Sequence, residues 1–202
     1  MTKKESTFIN MILTLFLVTA VASTGLGFIY ELTKEPIAEA KRIKTLNAIS
    51  ATIPEFDNEP ASDVDKLFID GDTLYFYKAY KDGEMVGIAV QTFTNLGFSG
   101  EIRLMVGFNP DGSICNVSVL QHKETPGLGD KIEQRKSFDK ITGLSWSSQF
   151  KNLDLSKTEL AVKQDGGQID AITASTITSR AFCDAVARAY KGWLQVSEQN
   201  EN

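Results

Sequence analysis

The sequence predicts an α+β fold: one N-terminal transmembrane helix, then an antiparallel-sheet domain closed by a C-terminal helix. Three observations predict it. Phe8 to Tyr30 runs 23 residues without a charge; four Asp-Gly pairs punctuate β-rich segments between residues 70 and 166; and Ile177, Ala181, Phe182, Ala185, Val186, Ala189 and Trp193 recur at helical spacing. The 202 residues suffice for one well-buried domain with an appendage, in the order 1–7 tail, 8–30 span, 31–65 stalk helix and loop, and 66–202 domain.

Each element has its own local reason. The apolar run covers a hydrocarbon core of roughly 30 Å at about 1.5 Å per helical residue. Ala20-Val21-Ala22 also fits a small-x-small signal-peptidase site, but the apolar run continues through Leu26, Phe28 and Ile29, which favours a retained anchor. Lys3 and Lys4 precede the span while Lys34, Lys41, Arg42 and Lys44 follow it, so positive charge alone does not orient the chain. A short tail before a signal-like segment favours a cytoplasmic N-terminus and an exported body.

Beyond the span, Thr33 is expected to cap a separate helix from Glu31 to Ile53, with Pro36 in its first turn and Ile37, Ala40, Ile43, Leu46 and Ile49 on a drifting stripe. Pro54 to Asp65 reads as a loop. Thr73–Tyr80 pairs with Glu84–Thr94 across Asp82-Gly83, and Glu101–Phe108 pairs with Ser113–Gln121 across Asp111-Gly112. In the last of these strands Cys115, Val117 and Val119 are expected on one face. Leu155–Lys163 reads as a further strand, with Asp165-Gly166 as its hairpin turn, and a short helix is expected near Lys131–Lys136.

Composition removes several functions. A net charge of −5 and a pI near 5.0 leave no basic stripe for nucleic acid. One histidine (His122) and two cysteines (Cys115, Cys183) are too few for a self-contained zinc or iron–sulfur site, and a Ser-His-Asp hydrolase would have to use His122. His122 itself reads as a structural hydrogen-bonding residue, and an oxidising compartment would permit a Cys115–Cys183 disulfide without requiring it. Phe8–Tyr30 holds no carboxylate or basic residue, so the span offers no ion path of its own.

Two segments carry chemistry. His122-Lys123-Glu124-Thr125-Pro126-Gly127-Leu128-Gly129-Asp130 is a Pro-Gly loop whose backbone can approach a ligand closely. Asp170-Ala171-Ile172-Thr173-Ala174-Ser175-Thr176-Ile177-Thr178-Ser179-Arg180 places five hydroxyls at the start of the last helix, more than capping requires. A helix N-terminus with free N–H groups and clustered hydroxyls suits an anion, phosphate foremost.

The second run resembles the flavinylation motif Asp-x-x-(Ser/Thr)-Gly-Ala-Thr-x-(Ser/Thr) of the FMN-binding domain family, with Ala174-Ser175 in place of Gly-Ala. His122 to Asp130 is similar to that family's Glu-Thr-Pro-Gly-Leu-Gly loop, and Gly97-Phe98-Ser99-Gly100 to its Gly-aromatic-Ser-Gly segment. The resemblance implies FMN held by a phosphoester to Thr176, which makes the chain a phosphoprotein in that sense. Thr173, Ser175 and Thr178 are weaker acceptor candidates, and Thr178 and Ser179 are further candidates for holding the phosphate. It further implies a ring pocket shaped by Thr125, Gly127, Leu128 and Gly129, and Asp170 read with Mg²⁺ by a flavin transferase.

One span and a short body make the whole chain similar to the G subunits of Rnf-type ion-translocating electron transport complexes. The alternative is the C subunit of sodium-pumping NADH:quinone reductases. The implied role is an electron carrier in a translocase of the bacterial inner membrane, partnered by other membrane and iron–sulfur subunits, with its flavin domain outside the cytoplasm. A non-redox extracytoplasmic sensor of FMN or another phosphorylated ligand is the reading from a different class.

Overall fold

The computed structural model describes residues 7–200, so Lys3 and Lys4 lie outside the described residues. The chain divides into two units, residues 1–43 and 44–202. In the first, helix α1 (Phe8–Thr52) begins and runs on without interruption. Its apolar side chains face outward, with Phe8, Phe16 and Phe28 each 70–75% exposed, and by length and composition it can cross a membrane. The threonine and serine hydroxyls within the apolar stretch bond back to their own helix. Thr14 donates to Asn10 O at 2.7 Å, Thr19 to Leu15 O at 2.9 Å, Thr24 to Ala20 O at 2.8 Å, and Ser23 to Thr19 O. These four hydroxyl protons then need no water, which suits a hydrocarbon surround.

The separate stalk helix is corrected. Thr33 caps nothing; its hydroxyl donates to Ile29 O at 2.8 Å inside one continuous helix that passes through Pro36. The signals read as a boundary were a hydroxyl that back-bonds equally well and a proline that a long helix tolerates by forgoing one backbone bond.

The second unit is a five-stranded antiparallel meander in the order β1 (Val64–Ile69), β2 (Asp72–Lys81), β3 (Glu84–Gly97), β4 (Gly100–Phe108) and β5 (Ile114–Gln121). Asp70-Gly71 and Asp82-Gly83 close the first two hairpins with φ of 50° and 93°, and 53° and 83°, the left-handed pair that a two-residue turn needs. Helix α2 (Thr176–Asn200) covers one face of the sheet, placing Phe182, Ala185, Val186, Ala189 and Trp193 against Leu74, Phe76, Leu104, Val106 and Phe108. The last turn of α1 covers the other face, where Ala48, Ile49 and Ile53 meet Tyr77, Ala79, Ala89 and Met105. Covered on both faces, β3 and β4 have consecutive buried residues, Gly87–Val90, Thr92–Thr94 and Leu104–Phe108, rather than a strict in-out alternation.

Four further expectations are corrected. Leu155–Lys163 forms turns, not a strand: the Asp154 carboxylate takes the Ser156 amide and hydroxyl and the Lys157 ammonium, offering the backbone a local alternative to pairing. Only a parallel bridge, Val162 to Ile169, remains there, and Asp165-Gly166 ends a 3₁₀ turn. The expected loop reaching Asp65 gives way at Val64, where β1 begins. On β5 the register slips so that Phe108 faces Ile114 while Gly107 faces Asn116; Cys115 is the extra residue and leaves the face shared by Ile114 and Val117. The short helix near Lys131–Lys136 is two 3₁₀ turns, Gly129–Ile132 and Gln134–Lys136. Cys115 and Cys183 are both free thiols.

Candidate flavin site

Three segments distant in sequence converge beside the N-terminus of α2. The first is the turn between β3 and β4, where Gly97 pairs with Gly100 and Phe98 projects, 68% exposed. The second leaves β5. His122 acts as a strut, its Nδ1 accepting the Glu124 amide at 3.1 Å and its Nε2 lying 2.9 Å from Glu133 Oε1. Burial would raise the Glu133 carboxyl, but the bonds from His122 and Arg135 outweigh it and hold the group below its ordinary range. After the strut, Leu128 N–H donates to Thr125 O at 3.1 Å and Gly127 N–H to Asp130 Oδ1 at 2.8 Å, with Gly127 at φ 79°. The bare Cα of Gly129 is required for packing: a Cβ there would lie 2.6 Å from Glu124 Oε2 and 2.8 Å from Thr178 Oγ1.

The third segment turns into α2. Ala174 adopts φ 62°, the left-handed region, at the motif position where glycine is usual. Ser175 N–H donates to Ile172 O at 2.9 Å, and Ser179 ties the turn down, donating its hydroxyl to Ser175 O and accepting the Ile172 amide, both at 3.0 Å. Thr176 is the first helical residue, half-buried.

A cavity of about 230 Å³ lies among these segments. Of the residues singled out from sequence, Thr125, Leu128, Gly129, Ser175, Thr176 and Thr178 line it. The walls are graded: Phe98, Leu128 and Ile177 are 42–68% exposed, while Glu124, Ser175 and Thr178 are buried. The shape offers an apolar rim for a flat ring and polar groups with helix amides within. Cys183, whose thiol burial pushes up to about 12, is not among the residues lining the cavity.

Gly127, Thr173, Ser179 and Asp170 do not line the cavity. The Ser179 hydroxyl is fully buried and bonded within the chain, so its expected bond to phosphate is not available in this geometry. Asp170 stands on the surface with its carboxylate 2.8 Å from Lys163 Nζ, its amide donating to Gln149 Oε1 and its carbonyl accepting Trp146 Nε1. Ile177, expected on the buried stripe, is 49% exposed and belongs to the rim, whereas Thr178 and Ser179 of the same turn are buried.

Glu124 and Phe98 fall within the sequence motifs, yet sequence reasoning assigns neither a role. Glu124 is 4% exposed and accepts the Ser99 amide on Oε1 at 2.9 Å and the Thr178 hydroxyl on Oε2 at 2.5 Å. An acidic residue beside Thr-Pro-Gly-Leu-Gly looks like ordinary loop polarity until its burial is known.

Comparison with known proteins agrees with this geometry. The FMN-binding domain family matches residues 97–191, which contain all three segments. A Vibrio cholerae serotype O1 (strain M66-2) protein, named as the G subunit of an ion-translocating oxidoreductase complex, is 35% identical over 195 residues, covering 92% of this chain and 90% of its own. Proteins of the same name from Haemophilus influenzae (strain 86-028NP) and Shewanella piezotolerans are 36% and 37% identical over 182 residues. They cover 86% and 84% of this chain, and 82% of their own length in each case.

Proposed function

The chain belongs to the family of G subunits of ion-translocating oxidoreductase complexes, with that family's FMN-binding domain, and on that premise we propose that it is a membrane-anchored electron carrier bearing FMN on Thr176. FMN, when bound, accepts electrons and passes them on. The chain contributes the seat, the link and the anchor.

The observation that carries the link to Thr176 is positional. Among the described residues its hydroxyl has no partner within the chain, it opens the helix, and it stands on the cavity wall. Thr178 has given its hydroxyl to Glu124, Ser175 is 7% exposed, and Thr173 lies off the cavity. The first amides of α2, with the helix dipole behind them, favour the single negative charge of a phosphodiester. In forming that link the Thr176 Oγ–P bond is made, the hydroxyl proton leaves, and the bond from phosphorus to the leaving group of an activated flavin-phosphate donor breaks. A flavin transferase is the partner that would do this, with Asp170, 69% exposed at its side chain, as the recognition residue. In its assembly the protein meets other membrane and iron–sulfur subunits, and its sheet domain lies on the extracytoplasmic side.

Intact-mass measurement of chain purified from its native membrane tests the reading. The expected mass exceeds that of the sequence by one FMN less one water, and Thr176→Ala removes the increment while the protein still folds. Retention of the increment in Thr176→Ala places the link elsewhere, and a native chain that never carries it ends the flavin proposal.

A further inference from the structure

One buried carboxylate joins two of the three segments of the site while belonging to the third. Glu124 reaches Ser99, 25 positions earlier, through an amide bond to Oε1, and Thr178, 54 positions later, through a hydroxyl bond to Oε2. Both oxygens are hydrogen-bonded, Oε1 by an amide and Oε2 by a hydroxyl. Both donors are neutral, and among the described residues no lysine, arginine or histidine makes an ion pair with it. Glu124 is 4% exposed and forms part of the cavity wall on which Thr176 stands. A charge so placed is little screened by solvent, and its field reaches whatever occupies the cavity.

We infer that Glu124 serves the flavin site in two ways: it is the positioning residue that ties the Phe98–Ser99 turn to the first turn of α2, and it is a fixed negative charge that lowers the reduction potential of FMN seated there. The inference rests on the FMN reading above. Its physical content is simple. An electron arriving in the cavity is opposed by the carboxylate, and the Thr178 hydroxyl bond offsets part of that opposition by drawing charge toward itself.

Glu124→Gln and Thr178→Val separate these roles from a merely structural one. The first keeps the shape and removes the charge; the second keeps the charge and removes a donor that offsets it. In flavin-loaded full chain, spectroelectrochemical titration is expected to give a more positive midpoint for Glu124→Gln and a more negative one for Thr178→Val. A structural tie alone would loosen the site in both and move both midpoints the same way, so shifts of one sign, or no shift in Glu124→Gln, overturn the charge role. If Glu124→Gln fails to fold or load, Thr178→Val decides alone: a more negative midpoint supports the role, and an unchanged or more positive one overturns it. The tie is read without flavin, by amide exchange in Thr176→Ala chain. Adding Glu124→Ala should accelerate exchange at Ser99 about tenfold, and an unchanged rate overturns the positioning role. Wild-type chain that carries no flavin overturns the FMN reading and the charge role together, while the Ser99 exchange still tests the tie.

Discussion

Ala174 shows how a single backbone angle records what a motif demands. Its φ of 62° places an L-residue where Cβ crowds the carbonyl, at a cost of about 1–2 kcal/mol that glycine does not incur. The turn is held there from both sides, by the Ser175 amide on Ile172 O and by the Ser179 hydroxyl beneath, so the chain bears the strain to aim Thr176 into the cavity. Ala174→Gly should relieve it, less about 0.4–1 kcal/mol for the greater freedom of glycine in the unfolded chain. The expected net gain of about 0.5–1 kcal/mol appears as a Tm higher by about 2 °C in thermal unfolding; a lower Tm would mean that the turn does not bind the residue in this angle. A second residue-level expectation concerns Cys183, whose thiol burial pushes up to about 12. At pH 8 iodoacetamide should label Cys115, which is only part-buried, well before Cys183, which should react only after denaturation.

At the scale of elements, the loop after β5 and the first turn of α2 touch through Gly129, and substitution there should tell packing from backbone freedom. In Gly129→Ala the added methyl meets Glu124 Oε2 and Thr178 Oγ1 inside 3 Å, so the bond between them must open; about 1–3 kcal/mol of destabilisation is expected, read as a fall in Tm. Gly127→Ala meets nothing within 4 Å and bears only the strain of φ 79°, so it should cost less, about 1 kcal/mol. Equal losses would assign the Pro-Gly loop to backbone freedom alone. The strands were legible because Asp-Gly turns and β-rich runs are local signals, and β2 to β4 stand within a few residues of their sequence expectations. Failures came where a distant or side-chain partner decided the outcome. Asp154 captured the backbone of the expected strand, the bulge at Cys115 reset the face of β5, and the run of α1 through Pro36 depends on nothing that a capping pattern records. The site was legible as motifs in order, whereas Glu124 was not, because its importance lies in burial and in contacts 25 and 54 residues away.

For the whole molecule, the decisive question is which side of the membrane carries the sheet domain. Positive residues on both sides of the span leave the charge rule undecided, so orientation rests on the signal-like character of Phe8–Tyr30 and on a domain whose cofactor is expected to be locked on by a covalent bond. A covalent link has its clearest use outside the cytoplasm, where a dissociated mononucleotide would be lost. The span from Phe8 to Tyr30 holds no charged side chain, and its threonine and serine hydroxyls bond back to the helix, so it presents no ionisable group as an ion path of its own. The turn at residues 139–144, with Ile141 96% exposed beside Lys140, gives a protease an accessible site on the domain. Trypsin added to intact spheroplasts should cleave after Lys140 and shorten the chain, while sealed inverted vesicles should protect it until detergent is added. The opposite pattern would place the domain in the cytoplasm, and the case for export, together with the reason offered for the covalent link, would fall with it.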